Sequence, residues 1–486
     1  MELQLTLDRT QRIPLALQIA HGIRDAIVNQ RLGPGTRLPP SREMARRLQV
    51  SRMVVVEAYE WLEADGYVET RAGSGTYVSK TLTLLQPAMA RIEDPPRRTD
   101  PLPGKAVAVN FRPGLPALDL FPRNAWKAAL SRAVRDVRTD HLGYGPVEGL
   151  PRLRRLIAEY AGRTRGLPVT PERVVVTVGA AQALDLVLRA LAPIRSLAVE
   201  DPGPEPVRRL LQIHRIKPCA VPVDDQGLSA DRLPAESDCA GVHVIPSHQY
   251  PTGWAMSLAR RAHVLAWAER REGWVIEDDY DSEFRFDRLP PIALAALDRT
   301  QRVVYMGSFS KTLFPGLRLG YCIVPERLIG RILDLKWFSD RCVPVFEQFA
   351  LAEWIESGLF EHHIRKMRGV YAARREALLQ ALGRRFGTAA RVQGVAAGMH
   401  VYTGFDLNLS ESEMVSAALT AGVKVYPGSP CCVRWRPRHP SLILGFGHLN
   451  ETQIARGIEL LSRAFDKSRY GKPPAGTRIT ERESRR

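Results

Sequence analysis

Residues 303–321 read VVYMGSFSKTLFPGLRLGY, and their layout decides the architecture of most of the chain. An apolar run of strand character ends in a Ser-x-Ser-Lys-Thr loop, which passes through a Pro-Gly turn to an arginine. Polar residues just past the C-terminal end of a buried strand are where open α/β sheets bind ligands. Lys311 therefore stands among hydroxyl and guanidinium groups that suit a phosphate, with its own amine available to a carbonyl carbon. A surface lysine on a connecting loop has the same local pattern, so the neighbouring segments must decide between the two.

Three further segments repeat the layout. RVVVTVGAAQALDLVLRAL (173–191) goes from strand to helix through Gly179, and the first helical amides, near Ala180 and Ala181, suit a phosphate. GVHVIPSHQYPTGW (241–254) and GWVIEDDYDSEFRF (273–286) also set polar residues just past an apolar strand. Strands alternating with helices in this way predict an α/β body built on a parallel sheet.

The chemistry of these loops fits pyridoxal 5'-phosphate (PLP). Its pyridine nitrogen must stay protonated to draw electrons, and a neighbouring carboxylate, Asp278 or Asp279, raises that nitrogen's pKa. The Tyr280 phenol can hydrogen-bond the ring oxygen. Ser308, Ser310 and Arg318, with the amides of Gly179, Ala180 and Ala181, would hold the phosphate. Lys311 is then the catalytic group, the Schiff-base lysine, which needs an amine pKa lowered by burial and nearby positive charge. The acidic run Glu277, Asp278, Asp279 and Asp281 has no histidine cluster to complete a metal site, and no metal is expected.

The N-terminal residues read differently. Ile19, Ile23, Ile27 and Val28 recur at helical spacing in PLALQIAHGIRDAIVNQ, and Leu-Gly-Pro-Gly at 32–35 stops that helix. Ser41 is expected to cap a second helix, REMARRL, with Met44 and Leu48 inward. Ser51 is expected to cap a third, RMVVVEAYEWLEADG, ended by Gly66. YVETRAGSGTYV then alternates as a hairpin with Ala72, Gly73, Ser74 and Gly75 at its tip. From residue 31 to 52 there are six arginines against one acid, a basic stripe suited to a phosphate backbone.

The pattern L-x-P-G-x-x-L-P-x-x-R-x-x-A…V-S-R…A-Y-x-x-L…G…R-x-G-x-G-T-Y-V resembles the winged helix of GntR-type bacterial regulators over residues 10–79. The resemblance implies that Arg42, Ser51 and Arg52 contact phosphates and base edges of double-stranded DNA. The start of the third helix would lie in the major groove and Gly73, Ser74 and Gly75 toward the minor groove. Met53 departs from the family's small polar residue; with Val54 it can only pack on a thymine methyl.

The rest resembles fold-type-I aminotransferases, and the two halves together look like the MocR/GabR subfamily of GntR regulators, to about residue 465. By that resemblance the loop PSHQYPTG, with Tyr250, sits over the ring. The carboxylate matches Asp278, the phenol Tyr280 and the lysine Lys311. Asp278 stands two residues before Tyr280 where aminotransferases have three, which leaves Asp279 a minor alternative. Tyr144, in HLGYGPVEGLPRLR, matches a tyrosine that reaches the phosphate of the neighbouring subunit, which implies a head-to-tail homodimer. Two departures stand out. Pro204 and Pro206 replace a stacking aromatic and a carboxylate-binding arginine, and Ile443, in LILGF, replaces the arginine that clamps a substrate's α-carboxylate. Arg434, Arg436 and Arg438, just upstream, offer a substitute from a loop.

Composition agrees with a globular, multidomain chain. Its 486 residues, 45% hydrophobic, suit roughly two to four domains. No run of eighteen apolar residues occurs and the start, MELQLTLDRTQR, lacks a signal peptide's apolar core, so a cytoplasmic protein without membrane contact is expected. The six cysteines show no C-x-x-C spacing, and the net charge of +17 favours a polyanionic partner. The expected organisation is an α+β winged helix-turn-helix head (1–79), a proline-rich linker (80–105) and an aminotransferase-like α/β body (106–466). The body divides into a large part at about 140–325 and a small part at about 330–466, followed by a basic disordered tail (467–486). The reading reached is a PLP-dependent DNA-binding regulator that senses PLP or a PLP-captured amine. Its alternative is an active aminotransferase carrying a DNA-binding head; a body that only dimerises the head is a third.

Overall fold

The computed structural model describes residues 5, 7–10, 13–81, 107–235, 239–287, 291–434 and 437–470. The chain forms two compact units, Met1–Leu102 and Pro103–Arg486. Most of the predicted linker, beyond Thr81, and the tail beyond Tyr470 lie outside the described residues.

The first unit packs helices Leu15–Val28, Ser41–Leu48 and Arg52–Ala64 against a hairpin, Val68–Arg71 with Gly75–Val78. Ile19, Ile23, Met44, Val55, Leu62 and Val78 form its core. Two details differ from the sequence reading. Val28 is 58% exposed, because it ends its helix one position off the stripe that Ile19, Ile23 and Ile27 bury. Ser41 is the first helical residue rather than the cap: Pro40 precedes it with extended backbone, and the Ser41 hydroxyl accepts from Arg52 Nε at 3.3 Å. Ser51 does cap the third helix, its hydroxyl accepting from the Val54 amide.

The second unit is built on an eight-stranded sheet in the order Val174–Thr177, Gly320–Ile323, Val303–Ser308, Trp274–Asp279, Cys239–Val244, Ser196–Asp201, Lys217–Asp224, Gly227–Leu228. The five strands from Val303–Ser308 to Lys217–Asp224 are mutually parallel, and Gly320–Ile323 runs antiparallel to both its neighbours. Apolar runs such as Val174–Val176 and Val303–Met306 are buried, as strands covered on both faces require. A smaller antiparallel sheet, Ala390–Gln393, His400–Phe405, Ser441–Gly445 and Tyr426–Pro427, completes the unit. Val109–Asn110 pairs with Val423–Lys424, so the first described segment of this unit is stitched to its C-terminal part. The last helix, Glu451–Tyr470, runs past residue 467, where a disordered tail was expected. Among the described residues no helix is long and apolar enough to cross a membrane.

Candidate coenzyme and DNA sites

Each strand end delivers its loop to one cleft, and Lys311 stands in it. The Lys311 ammonium donates to the Gly114 carbonyl at 2.6 Å. Burial lowers its pKa, the Arg112 charge lowers it further, and Asp281 and Asp278 oppose the shift. A lowered amine pKa is the direction that Schiff-base chemistry requires.

On the strand Trp274–Asp279, neighbouring side chains point to opposite faces. Asp278 faces His243, its Oδ2 3.6 Å from the ring Nε2. Asp279 is tied into the back of the sheet: Arg165 Nε lies 2.8 Å from Oδ2, Tyr305 donates to Oδ2 at 2.7 Å, and Ser282 bonds Oδ1. Asp279 is thereby engaged on the far face, whereas Asp278 makes no such set of contacts among the described residues.

Tyr280 has a partner that sequence reasoning missed. His248 Nδ1 lies 3.0 Å from the Tyr280 hydroxyl and 3.0 Å from both Asp281 oxygens. One nitrogen thus serves two groups, donating to Asp281 when protonated and accepting from the phenol when not. His400 joins them, its ring 5.1 Å from those of His248 and Tyr250, with Nε2 3.1 Å from the Pro251 carbonyl oxygen. The structure therefore assembles a buried His248, Asp281 and His400 group, where the sequence showed no histidine cluster. Within it, His248 Nδ1 and the Asp281 oxygens lie at hydrogen-bond distance. Only the SHQY context of His248 was a local signal; Asp281 and His400 come from distant segments.

The phosphate-binding expectations meet on the opposite side. Gly179 has φ +115° and precedes helix Ala180–Leu191, which has no side-chain cap. A Cβ added at Gly179 would stand 3.2 Å from an Arg318 nitrogen, so only glycine leaves the guanidinium room beside the helix start. The Ser310 amide donates to the Ser308 hydroxyl at 3.2 Å. Ser247 Oγ and His243 Nε2 are buried without a hydrogen-bond partner among the described residues, consistent with a cleft shaped for a further polar group. This set fits PLP. Tyr144 stands apart: it is 75% exposed, with the Arg341 guanidinium 4.9 Å from its ring centre.

Beyond Tyr250, which lies 5.1 Å from the His400 ring, the surroundings are apolar. Ile443, on the strand Ser441–Gly445, packs with Tyr402 and Cys431, and Tyr250 and Tyr426 cover them. Pro204 lies at the start of helix Glu205–Ile213 and Pro206 is exposed. Arg434 and Arg438 are exposed, and Arg436 lies outside the described residues. The Val433 and Arg434 amides donate to Asp201 at 2.8 and 2.7 Å.

In the first unit, Arg42, Ser51 and Arg52 lie exposed around the start of the third helix, with Met53 73% exposed and Val54 turned partly inward. Gly73 (φ +72°) and Gly75 (φ +114°) shape the hairpin tip, where Ser74 Oγ and the Tyr77 hydroxyl lie 2.7 Å apart. An exposed basic helix start beside a glycine-rich tip is the surface that a winged helix presents to DNA.

Comparison with known proteins agrees with both units. Residues 15–78 match the model for bacterial regulatory proteins of the gntR family, and residues 109–459 that for aminotransferase class I and II. The probable rhizopine catabolism regulatory protein MocR of Rhizobium meliloti is 34% identical, with 95% of this chain and 96% of that protein covered. The pyridoxine biosynthesis transcriptional regulator PdxR of Corynebacterium glutamicum is 34% identical, covering 79% of this chain and 82% of PdxR. Among solved structures, the α-aminoadipate aminotransferase LysN of Thermus thermophilus, complexed with N-(5'-phosphopyridoxyl)-L-leucine, superposes with a TM-score of 0.67. It is 30% identical and covers 74% of this chain and 92% of that one.

Proposed function

Because the chain belongs to the MocR/GabR type of GntR regulators, a winged-helix head on a class I and II aminotransferase body, we propose that PLP, or an amine captured on it, is the signal its body passes to DNA binding. The protein is a PLP-dependent, DNA-binding transcription regulator. The observation that carries the sensing role is the contrast within the cleft. The groups read as coenzyme-holding are all present, whereas Ile443, which the family resemblance aligns with the carboxylate-clamping arginine, is buried among tyrosines.

In this reading the Gly179–Ala181 amides, Ser308, Ser310 and Arg318 bind the phosphate, Asp278 keeps the pyridine nitrogen protonated, and Tyr280 orients the ring oxygen while Tyr250 covers the ring. When bound, PLP supplies an aldehyde for an amine and an electron-withdrawing ring. Lys311, its pKa lowered by burial, provides the amine. The chain's own contribution is binding and orientation. Without a carboxylate clamp it lacks the positioning that makes transamination fast, so sustained turnover is not expected. The exposed Tyr144 supports a head-to-tail homodimer in which it reaches the neighbouring subunit's phosphate. Arg42, Ser51, Arg52, Met53 and Val54, with Gly73–Gly75, form the DNA-reading surface. A difference in binding of a few kcal/mol between coenzyme states suffices to shift occupancy.

The test is operator affinity, at one fixed salt concentration, of protein stripped of PLP and then reloaded. The reading expects the affinity or the footprint to change on reloading or on adding the captured amine. Identical affinity and footprint in all states would reject it, as would steady keto-acid release from an amino acid. Arg52→Ala serves as control: it should weaken operator binding in every state by about 1 kcal/mol or more, leaving PLP uptake unchanged.

A further inference from the structure

Behind the coenzyme cleft, on the face of the sheet that Asp279 occupies, lies a second cavity of about 470 Å³. Its walls carry four arginines, Arg163, Arg165, Arg365 and Arg368, against two glutamates, Glu283 and Glu361. Tyr160, Ile292 and Ile364 add an apolar side. Neither the coenzyme reading nor the DNA reading makes use of this cavity.

The charges are unevenly satisfied. Arg163 donates to Glu361 at 2.9 Å. Arg368 donates only to a backbone oxygen, that of Glu283, at 3.1 and 2.9 Å. Arg365 is exposed and makes no hydrogen bond or ion pair among the described residues. Arg165, the last residue of helix Pro151–Arg165, is only 2% exposed, and its Nη1 and Nη2 have no hydrogen-bond partner among the described residues. Its nearest carboxylates are Asp279 at 2.8 Å from Nε and Glu283 at 3.7 Å from Nη2. A buried guanidinium with unfilled donors is costly unless something completes it. Burial raises the Glu283 carboxyl above its usual range, which weakens the one acid facing Arg165 from the cavity wall.

We propose that this cavity binds a small anion, a carboxylate or phosphate group on a compact, partly apolar carrier, with Arg165 at its floor and Arg365 at its lip. The ligand chemistry follows from the walls: a fork of N–H donors with excess positive charge selects a planar carboxylate or a phosphate. The position gives it a line to the coenzyme. Arg165 holds Asp279, and Asp279 is the strand neighbour of Asp278, the residue facing the cleft. An anion that draws on the Arg165 guanidinium therefore shifts the anchoring of the strand end carrying Asp278, which makes this an allosteric site.

The test uses full-length, PLP-loaded protein at constant ionic strength, with inorganic phosphate and succinate as separate probes. Melting temperature and the visible absorbance of bound PLP are both followed. Saturable stabilisation by at least one probe, without loss of PLP, is expected, with phosphate alone or succinate alone deciding which anion class fits. Arg365→Glu, a change at an exposed side chain that leaves Arg165 in place, should weaken that binding at least tenfold. Three results would overturn the proposal: no saturable response to either probe, equal binding by the variant, or stabilisation accompanied by release of PLP. The last would put the anion in the coenzyme's own phosphate site. Because the readout does not involve DNA, a failure here is separable from a failure of the sensing role.

Discussion

The two ends of the coenzyme cleft are built on opposite principles. Around Lys311 nearly every side chain is polar and engaged: Gly114 receives the lysine, His248 and Asp281 hold Tyr280, and Arg318 fits against Gly179. Around Ile443 the contacts are tyrosine rings and a cysteine. A polar end can fix a ligand's orientation through directed bonds, while an apolar end discriminates only by size and by the cost of burying charge. On the proposed reading, the first end keeps the coenzyme and the second offers no charged grip for an amino acid's carboxylate.

That contrast can be broken first at the polar end. Lys311→Ala should abolish the visible absorbance of bound PLP and the response to effector, while basal operator affinity stays within about 0.5 kcal/mol. Spectra and binding isotherms on one preparation check both, and an unaltered effector response would remove Lys311 from signalling. At the apolar end, Ile443→Arg should cost about 3 kcal/mol of stability, read as a urea midpoint, because it buries a cation without a partner. Unchanged stability would mean that this end is as accommodating of charge as the other.

Smaller effects sharpen the comparison. Asp281→Asn removes the negative charge beside His248 and Lys311 and should move the pH midpoint of the PLP absorbance by about one unit; a midpoint that stays put would make the His248–Asp281 pair merely structural. His400 carries the smallest effect. Burial holds its pKa down at about 3, against 6.5 ordinarily. The folded state thus binds fewer protons than the unfolded state between those values, so the group's stability contribution is present above about 6.5 and is lost as pH falls toward about 3. His400→Gln should flatten the acid limb of stability against pH, with little change at neutrality.

The legible part of this molecule was the part coded locally. Ser308 ends its strand, Ser310 and Lys311 come just after it, and Gly179 comes just after Thr177, so strand-then-loop patterning sufficed to single them out. Alternation assigns Asp278 and Asp279 opposite faces without saying which face is the cleft, so only the family resemblance favoured Asp278; the pairing of Asp279 with Arg165, more than a hundred positions away, could not be read from the sequence. The same distance hid Gly114 and His400, which reach the cleft only through the fold. At helix ends the errors were of one turn or less: Ser41 entered its helix because Pro40 already supplied the extended residue, and Glu451–Tyr470 continued into a basic stretch.

Gly114 lies at the end of a short length of backbone held at two points. Upstream, the Ala108 amide donates to Gly422 at 2.7 Å and the Phe111 amide to Lys424 at 2.9 Å; downstream, Gly114 is gripped by the Lys311 amine at 2.6 Å. The second grip uses the nitrogen that a carbonyl ligand would claim. A carbonyl ligand at Lys311 and the Gly114 carbonyl would therefore compete for one nitrogen.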